Sequence, residues 1–140
     1  MIEKAIFPAF RADGTKISLQ LLLARIPDNN LRWSVLVFHG IGNAPAGQSM
    51  SEFERLAEST PGGFVMTWRE LLDFAFHLDD TIECLVVAAK SVGDLMTIDR
   101  DSESLGLGEL WLELNDSTEW LVQGQDSRLV SNISKVFEEV

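Results

Sequence analysis

The sequence predicts one α+β domain over residues 1–140, in which helices pack against a mostly antiparallel β-sheet. Three observations support this prediction: strand-like segments outnumber helical ones, hairpin signals separate several of them, and the helical segments are amphipathic. The chain has 140 residues, of which 46% are hydrophobic and 24% are charged. This length and composition are typical of one globular domain with a buried core.

The first third of the chain is predicted to form strands. Ile2 to Arg11 is largely apolar, and Pro8 within it favours an edge strand or a bulge. Asp13-Gly14 is a hairpin signal, and the alternating pattern from Ile17 to Leu23 predicts a half-buried strand. Trp33 to His39 is apolar at successive positions, which predicts a strand covered on both faces.

Two capping patterns predict helices in the middle of the chain. Ser51-Glu52-Phe53-Glu54 predicts a short helix that ends before Pro61. Thr67-Trp68-Arg69-Glu70 predicts a longer helix that extends to about Leu78. The predicted buried stripe of this second helix is Trp68, Leu71, Leu72, Ala75 and Phe76.

The second half of the chain returns to strands. Thr81 to Lys90 has the composition of an interior strand, and Asp94 to Asp99 is expected to pair back on it. Glu109 to Asn115 alternates between leucines and larger or charged residues, and Thr118 to Gln125 is its expected hairpin partner. A helix capped by Asp126 or Ser127 is predicted from Ser127 to Glu139, with a buried stripe at Leu129, Val130, Ile133, Val136 and Phe137.

The hairpin register decides where two tryptophans lie. If Asp116-Ser117 is a two-residue turn, Glu113 lies opposite Trp120, and both tryptophans, Trp111 and Trp120, share the face of Glu109 and Glu113. Tryptophans among carboxylates on a solvent-facing sheet are typical of an interface hot spot. The alternative is that a helix covers this face and both tryptophans belong to the core.

The acidic residues are concentrated in one stretch. The chain has a net charge of −11, but residues 79–119 hold eleven acids and two bases, a net charge of −9. Such a field favours a cationic protein partner, whereas it argues against direct nucleic-acid binding. The alternative is that these acids only keep a small domain soluble. The expected partner-binding residues are Asp99, Asp101, Glu103, Glu109, Trp111, Glu113 and Trp120.

Catalytic and metal-binding motifs are incomplete. His39 to Asn43 follows an apolar segment, and a small enzyme or ligand-binding domain with a site there is the second hypothesis. Cys84 with His39 or His77 could form a nucleophile and its base, but Cys84 lies in the most apolar segment. Asp99-x-Asp101-x-Glu103 begins like a calcium loop and lacks its glycine and final glutamate. We therefore expect no enzyme, no metal and no cofactor.

Compartment signals favour the cytoplasm. A single cysteine cannot form an intramolecular disulfide, and Met1-Ile2-Glu3-Lys4 lacks a signal-peptide pattern. No apolar run approaches the roughly 20 residues of a membrane-spanning helix. The expected protein is therefore cytoplasmic and makes no use of a membrane.

The stretch from Leu114 to Phe137 consists of a strand, a strand that contains Trp120, the Asp126 cap and a helix that ends in phenylalanine. Over about residues 110–137 the chain resembles small acidic bacterial immunity proteins of polymorphic toxin systems, including those of contact-dependent growth inhibition. The resemblance implies a cytoplasmic, non-catalytic protein that binds one cognate toxin, often a cationic nuclease, and occludes its active or substrate-binding site. A generic adaptor or structural protein is the third hypothesis, and the oligomeric state stays open.

Overall fold

The computed structural model describes residues 2–138. Its strands are β1 (Glu3–Pro8), β2 (Arg32–Gly42), β3 (Phe64–Met66), β4 (Leu78–Ala89), β5 (Leu110–Asn115) and β6 (Glu119–Gly124). Its α-helices are α1 (Leu19–Leu23), α2 (Met50–Ser59), α3 (Trp68–Phe76), α4 (Val92–Leu95) and α5 (Ser127–Ser134). Short 3₁₀ turns cover Pro45–Gly47 and Lys135–Glu138.

The six strands form one sheet in the order β1-β6-β5-β4-β2-β3, and every pair of neighbours is antiparallel. This architecture confirms the predicted α+β class. It also confirms the edge position of the Pro8 strand, because β1 pairs only with β6 among the described elements. Proline fits there because an edge strand can leave one position without a backbone donor.

Each face of the sheet carries a buried hydrophobic core. The first face carries the larger core, where Trp33, Phe38, Cys84 and Trp120 are fully buried together with residues of α1, α2, α3 and α5. The second face is covered in part by residues 92–108, which we call the covering segment. Its core consists of Val37, Leu85, Val87, Ala89, Leu95, Leu105, Trp111 and Leu121. The prediction that Trp33 to His39 is covered on both faces is confirmed from Trp33 to Phe38, whereas the His39 side chain is 45% exposed.

The capping prediction at Thr67 is confirmed. The Thr67 side chain accepts a hydrogen bond from the Glu70 N–H at 3.2 Å, and Glu70 accepts from the Thr67 N–H at 2.9 Å. The cap of α2 differs from the prediction, since Ser49 rather than Ser51 accepts from the Glu52 N–H, at 3.2 Å. Ser49 and Glu52 have the same spacing as the predicted pair, so the pattern occurs twice and the structure uses the earlier one.

The predicted strand from Ile17 to Leu23 is wrong. The Ser18 side chain accepts from the Leu21 N–H at 3.2 Å and begins α1 instead. The apolar run contains leucines at every position from 21 to 23, so it fits a period of 3.6 as well as a period of two. Packing against the core selects the helix, in which Leu19, Leu22 and Leu23 are buried.

Two further local predictions are wrong. Asp94 to Asp99 does not pair with β4, because Ser91 caps the short helix α4 and Asp99 instead bridges to Ser104. In α3, Trp68, Leu71 and Ala75 are buried as predicted, but Leu72 and Phe76 are exposed and Phe74 is buried in their place. Positions 71, 74 and 75 fall within an arc of about 100° on one helical face, whereas 72 and 76 fall beyond the edge of that arc.

The C-terminal helix is confirmed in its cap and its stripe. Asp126 accepts hydrogen bonds from the N–H groups of Arg128 and Leu129, and α5 follows. Val130, Ile133 and Val136 are buried, and Leu129 and Phe137 pack half-buried beside them. The α-helix gives way to a 3₁₀ turn at Lys135, and the predicted end at Glu139 lies outside the described residues.

The predicted register of the last hairpin is wrong by one residue. Leu114, not Glu113, lies opposite Trp120, because three residues rather than two connect the paired ends of β5 and β6. Asp116 and Ser117 form the turn, with φ values of 45° and 57°. Thr118 follows them, and β6 begins to pair with β5 at the next residue. A shift of one residue moves a strand residue to the opposite face, so Trp120 faces the first core while Trp111 faces the second.

Candidate partner-binding groove

A groove of about 540 Å³ opens on the second face of the sheet, between the covering segment and the end of α2. Strand residues form one part of its lining, and Glu58 of α2 and residues 100–103 of the covering segment form the other. The lining residues are Val37, Glu58, Glu83, Cys84, Leu85, Arg100, Asp101, Ser102, Glu103, Glu113 and Asn115.

Strand alternation explains why Glu83 and Glu113 belong to this groove. Their neighbours Cys84 and Leu114 are buried in the first face, so the two glutamates project from the second. Glu103 reaches the groove from a turn in which it has a φ of 53°. Asp99 and Ser104 close this turn through two backbone hydrogen bonds of 2.9 Å each.

Glu113 is a groove carboxylate whose pKa is raised by its surroundings. Its side chain is half-buried, and Trp111 Nε1 donates a hydrogen bond to Glu113 Oε1 at 3.1 Å. Burial raises the pKa of Glu113, and the negative charges of Glu103 and Glu83 raise it further, while the Trp111 hydrogen bond and Arg100 act against this rise. The groove therefore holds a carboxylate whose ionisation is opposed by its surroundings.

One cation offsets five carboxylates in the groove. Glu58, Glu83, Asp101, Glu103 and Glu113 face Arg100, which gives the lining a formal charge of −4. The nearest carboxylate contact of Arg100 is a 4.0 Å approach of Nε to Asp101, and the two side chains are 47% and 93% exposed. Within residues 2–138 the Arg100 guanidinium makes no hydrogen bond. The lining is therefore a concave, negatively charged surface, and the positive charge of Arg100 that partly neutralises it is weakly held.

The structure brings together three of the seven expected binding residues, namely Asp101, Glu103 and Glu113. Asp99 stabilises the same turn, where its carboxylate accepts from the Asp101 N–H at 3.0 Å. Glu109 lies 3.6 Å from Lys90 and does not line the groove. Only these three expected acids therefore form one surface.

Both tryptophans are fully buried, so the expectation that they share a solvent-facing surface is wrong. Trp120 lies on the opposite face of the sheet and donates to the Ile17 carbonyl at 3.0 Å. Trp111 is on the groove side, but it lies in the core and contributes through its hydrogen bond to Glu113. Its role at the groove is to position that carboxylate.

Three charged residues of the groove were not among the predicted binding residues: Glu58, Glu83 and Arg100. Glu83 and Arg100 lie within the acidic stretch, but nothing in the local pattern distinguishes them from the other charged residues there. Glu58 lies outside the stretch, 25 residues before Glu83 in the sequence, and only tertiary packing of α2 brings it to the groove.

His39, the leading residue of the second hypothesis, is fixed between two carboxylates of α2. His39 Nε2 lies 3.2 Å from Glu58 and Nδ1 lies 3.7 Å from Glu54. The N–H of Gly40 also donates to Glu54, at 3.1 Å. Both ring nitrogens thus face structural carboxylates, and the cluster attaches α2 to β2 next to the groove.

Cys84 and the histidines do not form a nucleophile and base. Cys84 is fully buried on the first face of the sheet. His39 pairs with Glu83, the residue before Cys84, and therefore lies on the second face. Burial is the main cause that raises the pKa of Cys84 to about 12, so its thiol is protonated at neutral pH. His77 lies exposed at the end of α3, where its Nδ1 is 2.9 Å from the Asp73 carbonyl oxygen, which can only accept a hydrogen bond from the ring.

Among residues 2–138, no group of three or more histidine, cysteine, aspartate or glutamate side chains has a geometry that could hold a metal ion. In the same part of the chain, every helix is too short or too polar to cross a membrane. No known protein family, curated protein or solved structure matches this chain.

Proposed function

We propose that this chain is an immunity protein that binds a cationic protein toxin and occludes the toxin's active or substrate-binding site. The observation that carries the proposal is the convergence of five carboxylates on one groove with a single, weakly held arginine. A nuclease toxin must present lysine and arginine side chains to bind phosphate groups, and those side chains complement this groove. Binding here would exclude the nucleic-acid substrate.

The charge of the groove supports fast recognition. A concave surface with a formal charge of −4 attracts a cationic partner from a distance and orients it before contact. After contact, the partner's guanidinium or ammonium groups would replace the weak compensation that Arg100 supplies. Charged hydrogen bonds to Glu83, Glu103 and Glu113 would then hold the complex together.

The energetic cost of the groove also supports a binding role. Glu113 is placed where burial and two neighbouring carboxylates oppose its charge, which disfavours the folded protein at neutral pH. Groups with such perturbed pKa values cluster at functional sites, where a ligand relieves the unfavourable interaction. On this proposal the protein acts in the cytoplasm, without catalysis and without a cofactor.

A growth assay tests the proposal. The chain is expressed together with the product of a neighbouring gene whose expression alone stops growth, and survival is measured for three forms of the chain. The groove variant carries Glu83→Gln, Glu103→Gln and Glu113→Gln. The control variant carries Glu3→Gln, Asp73→Asn and Glu119→Gln, three exposed acids that do not line the groove.

The wild type and the control variant should protect the cells, and the groove variant should lose protection although it accumulates as a folded protein. Protection by all three forms would contradict the groove as the binding site. Failure of the wild type to bind or protect against this gene product would contradict the immunity function and favour the adaptor hypothesis.

A further inference from the structure

A second depression, of about 470 Å³, lies where the loop before β2 meets the start of α3. It is lined by residues 28–32 and 67–69, so it shares no residue with the acidic groove. Asn29 shapes the loop on one side, because its side chain accepts hydrogen bonds from Trp33 Nε1 at 3.0 Å and from the Leu31 N–H at 3.2 Å. The depression is therefore formed by an ordered loop and a helix start.

Two arginines from different elements border this depression. Arg32 is the first residue of β2, and Arg69 is the second residue of α3. Both are exposed, and within the described residues neither guanidinium has an ion pair or a hydrogen bond. The chain has 22 acids and 11 bases, yet these two arginines border one depression without forming an ion pair among the described residues.

The backbone adds to the positive character of the depression. The capping box satisfies the N–H groups of Thr67 and Glu70, whereas the helix itself supplies no acceptor for the first-turn N–H groups of Trp68 and Arg69. The partial positive charge of a helix start reinforces two neighbouring guanidinium groups. Asp28, an exposed residue of the rim, is the single carboxylate of the lining and weakens this field.

We propose that this depression binds a phosphate group, held between the guanidinium groups of Arg32 and Arg69. Arginine suits such a ligand because its planar fork donates two parallel hydrogen bonds to phosphate oxygens. The ligand would be a small phosphorylated molecule, since a depression of about 470 Å³ lies within the usual size range of small-molecule sites. This binding site is separate from the toxin-binding groove and does not depend on the proposed function.

The test is a titration of the full chain with inorganic phosphate, followed by the backbone amide NMR shifts of Trp68 and Arg69. We expect saturable binding with a dissociation constant on the order of 1 mM, a value that a ligand as small as phosphate can reach. Arg32→Gln and Arg69→Gln should each weaken binding about tenfold, because each removes a charged hydrogen-bond donor. Asp28→Asn should strengthen binding, because it removes the opposing charge.

Arg55→Gln is the matched control, since Arg55 is another exposed arginine without a partner among residues 2–138 and lies on α2, away from the depression. It should bind phosphate like the wild type. Thermal unfolding of each variant checks that the substituted protein is folded. Shifts that do not saturate, or an equal loss of binding in Arg55→Gln and the two depression variants, would overturn the proposal.

Discussion

Trp111 Nε1 donates a hydrogen bond to Glu113 Oε1 at 3.1 Å, and this contact joins the core of the second face to the acidic groove. The two residues are two positions apart on β5 and therefore project from the same face. The fully buried indole holds one carboxylate oxygen of Glu113, a residue that lines the groove. Core packing thus determines where a binding charge is held.

Glu113→Gln should stabilise the folded protein at neutral pH. The pKa of Glu113 is raised in the folded state. Its contribution to the free energy of unfolding is therefore favourable below the ordinary glutamate pKa, and this contribution is lost as the pH rises through the folded-state pKa. Glutamine is neutral throughout and can still accept from Trp111. Thermal unfolding should show a higher Tm for the variant at pH 7 and converging values near pH 4.

A lower Tm of Glu113→Gln at both pH values would contradict this account of the groove. The same substitution should weaken binding of a cationic partner, so stability and binding should change in opposite directions. Such opposite effects are expected where a residue is retained for binding at a cost to stability.

Trp120→Phe should destabilise the protein and leave partner binding unchanged. The substitution removes the hydrogen bond to the Ile17 carbonyl and leaves unfilled volume in the first core. We expect a loss of about 2–4 kcal/mol in the free energy of unfolding, measured by chemical denaturation. Weaker partner binding by a variant that is still fully folded would show that Trp120 contributes to the interface after all.

Cys84 should resist thiol reagents in the native state. Its side chain is fully buried and its pKa is raised to about 12, so little thiolate is present and none is accessible at neutral pH. Labelling with a chromogenic disulfide should be slow in buffer and stoichiometric within the mixing time in denaturant. Rapid stoichiometric labelling of the native protein would show that the first core is open at this strand.

Ser49 and Ser51 provide a matched pair for the start of α2. Ser49→Ala removes the side-chain acceptor of the Glu52 N–H and should cost about 1 kcal/mol of stability. Ser51→Ala changes an exposed residue inside the helix and should alter stability by less than about 0.5 kcal/mol. Denaturant titration of both variants measures the difference, and a larger loss for Ser51→Ala would place the helix start at the later serine.

The sheet and most of its strands could be predicted from the sequence because their signals are local. Alternation along Leu110–Asn115 and the capping box at Thr67 depend only on neighbouring residues, and both are confirmed. The hairpin register could not be predicted in the same way, because turn lengths of two and three residues fit the same sequence. That one-residue difference moves Trp120 from the expected face to the other.

The groove could be predicted only in part for a similar reason. The acidic stretch indicates where negative charge is concentrated, but its members are distributed over several surfaces; Asp80, for instance, pairs with Lys16 at 2.8 Å. Glu58 joins the groove through the packing of a distant helix, which no local pattern encodes. Sequence patterns thus identified the charge, and tertiary structure selected the residues that share one surface.

The most direct test of toxin recognition through the groove is the association rate of the chain with the toxin domain that the growth assay identifies, measured across a salt series. The Glu83, Glu103 and Glu113 glutamine variant should associate about tenfold more slowly at low salt and with a flatter salt dependence, whereas the Glu3, Asp73 and Glu119 control should change much less. Arg100→Gln should associate faster than the wild type, because it removes the one cation that residues 2–138 contribute to the groove lining. Equal slowing by the groove and control variants, together with no acceleration by Arg100→Gln, would contradict recognition through this groove.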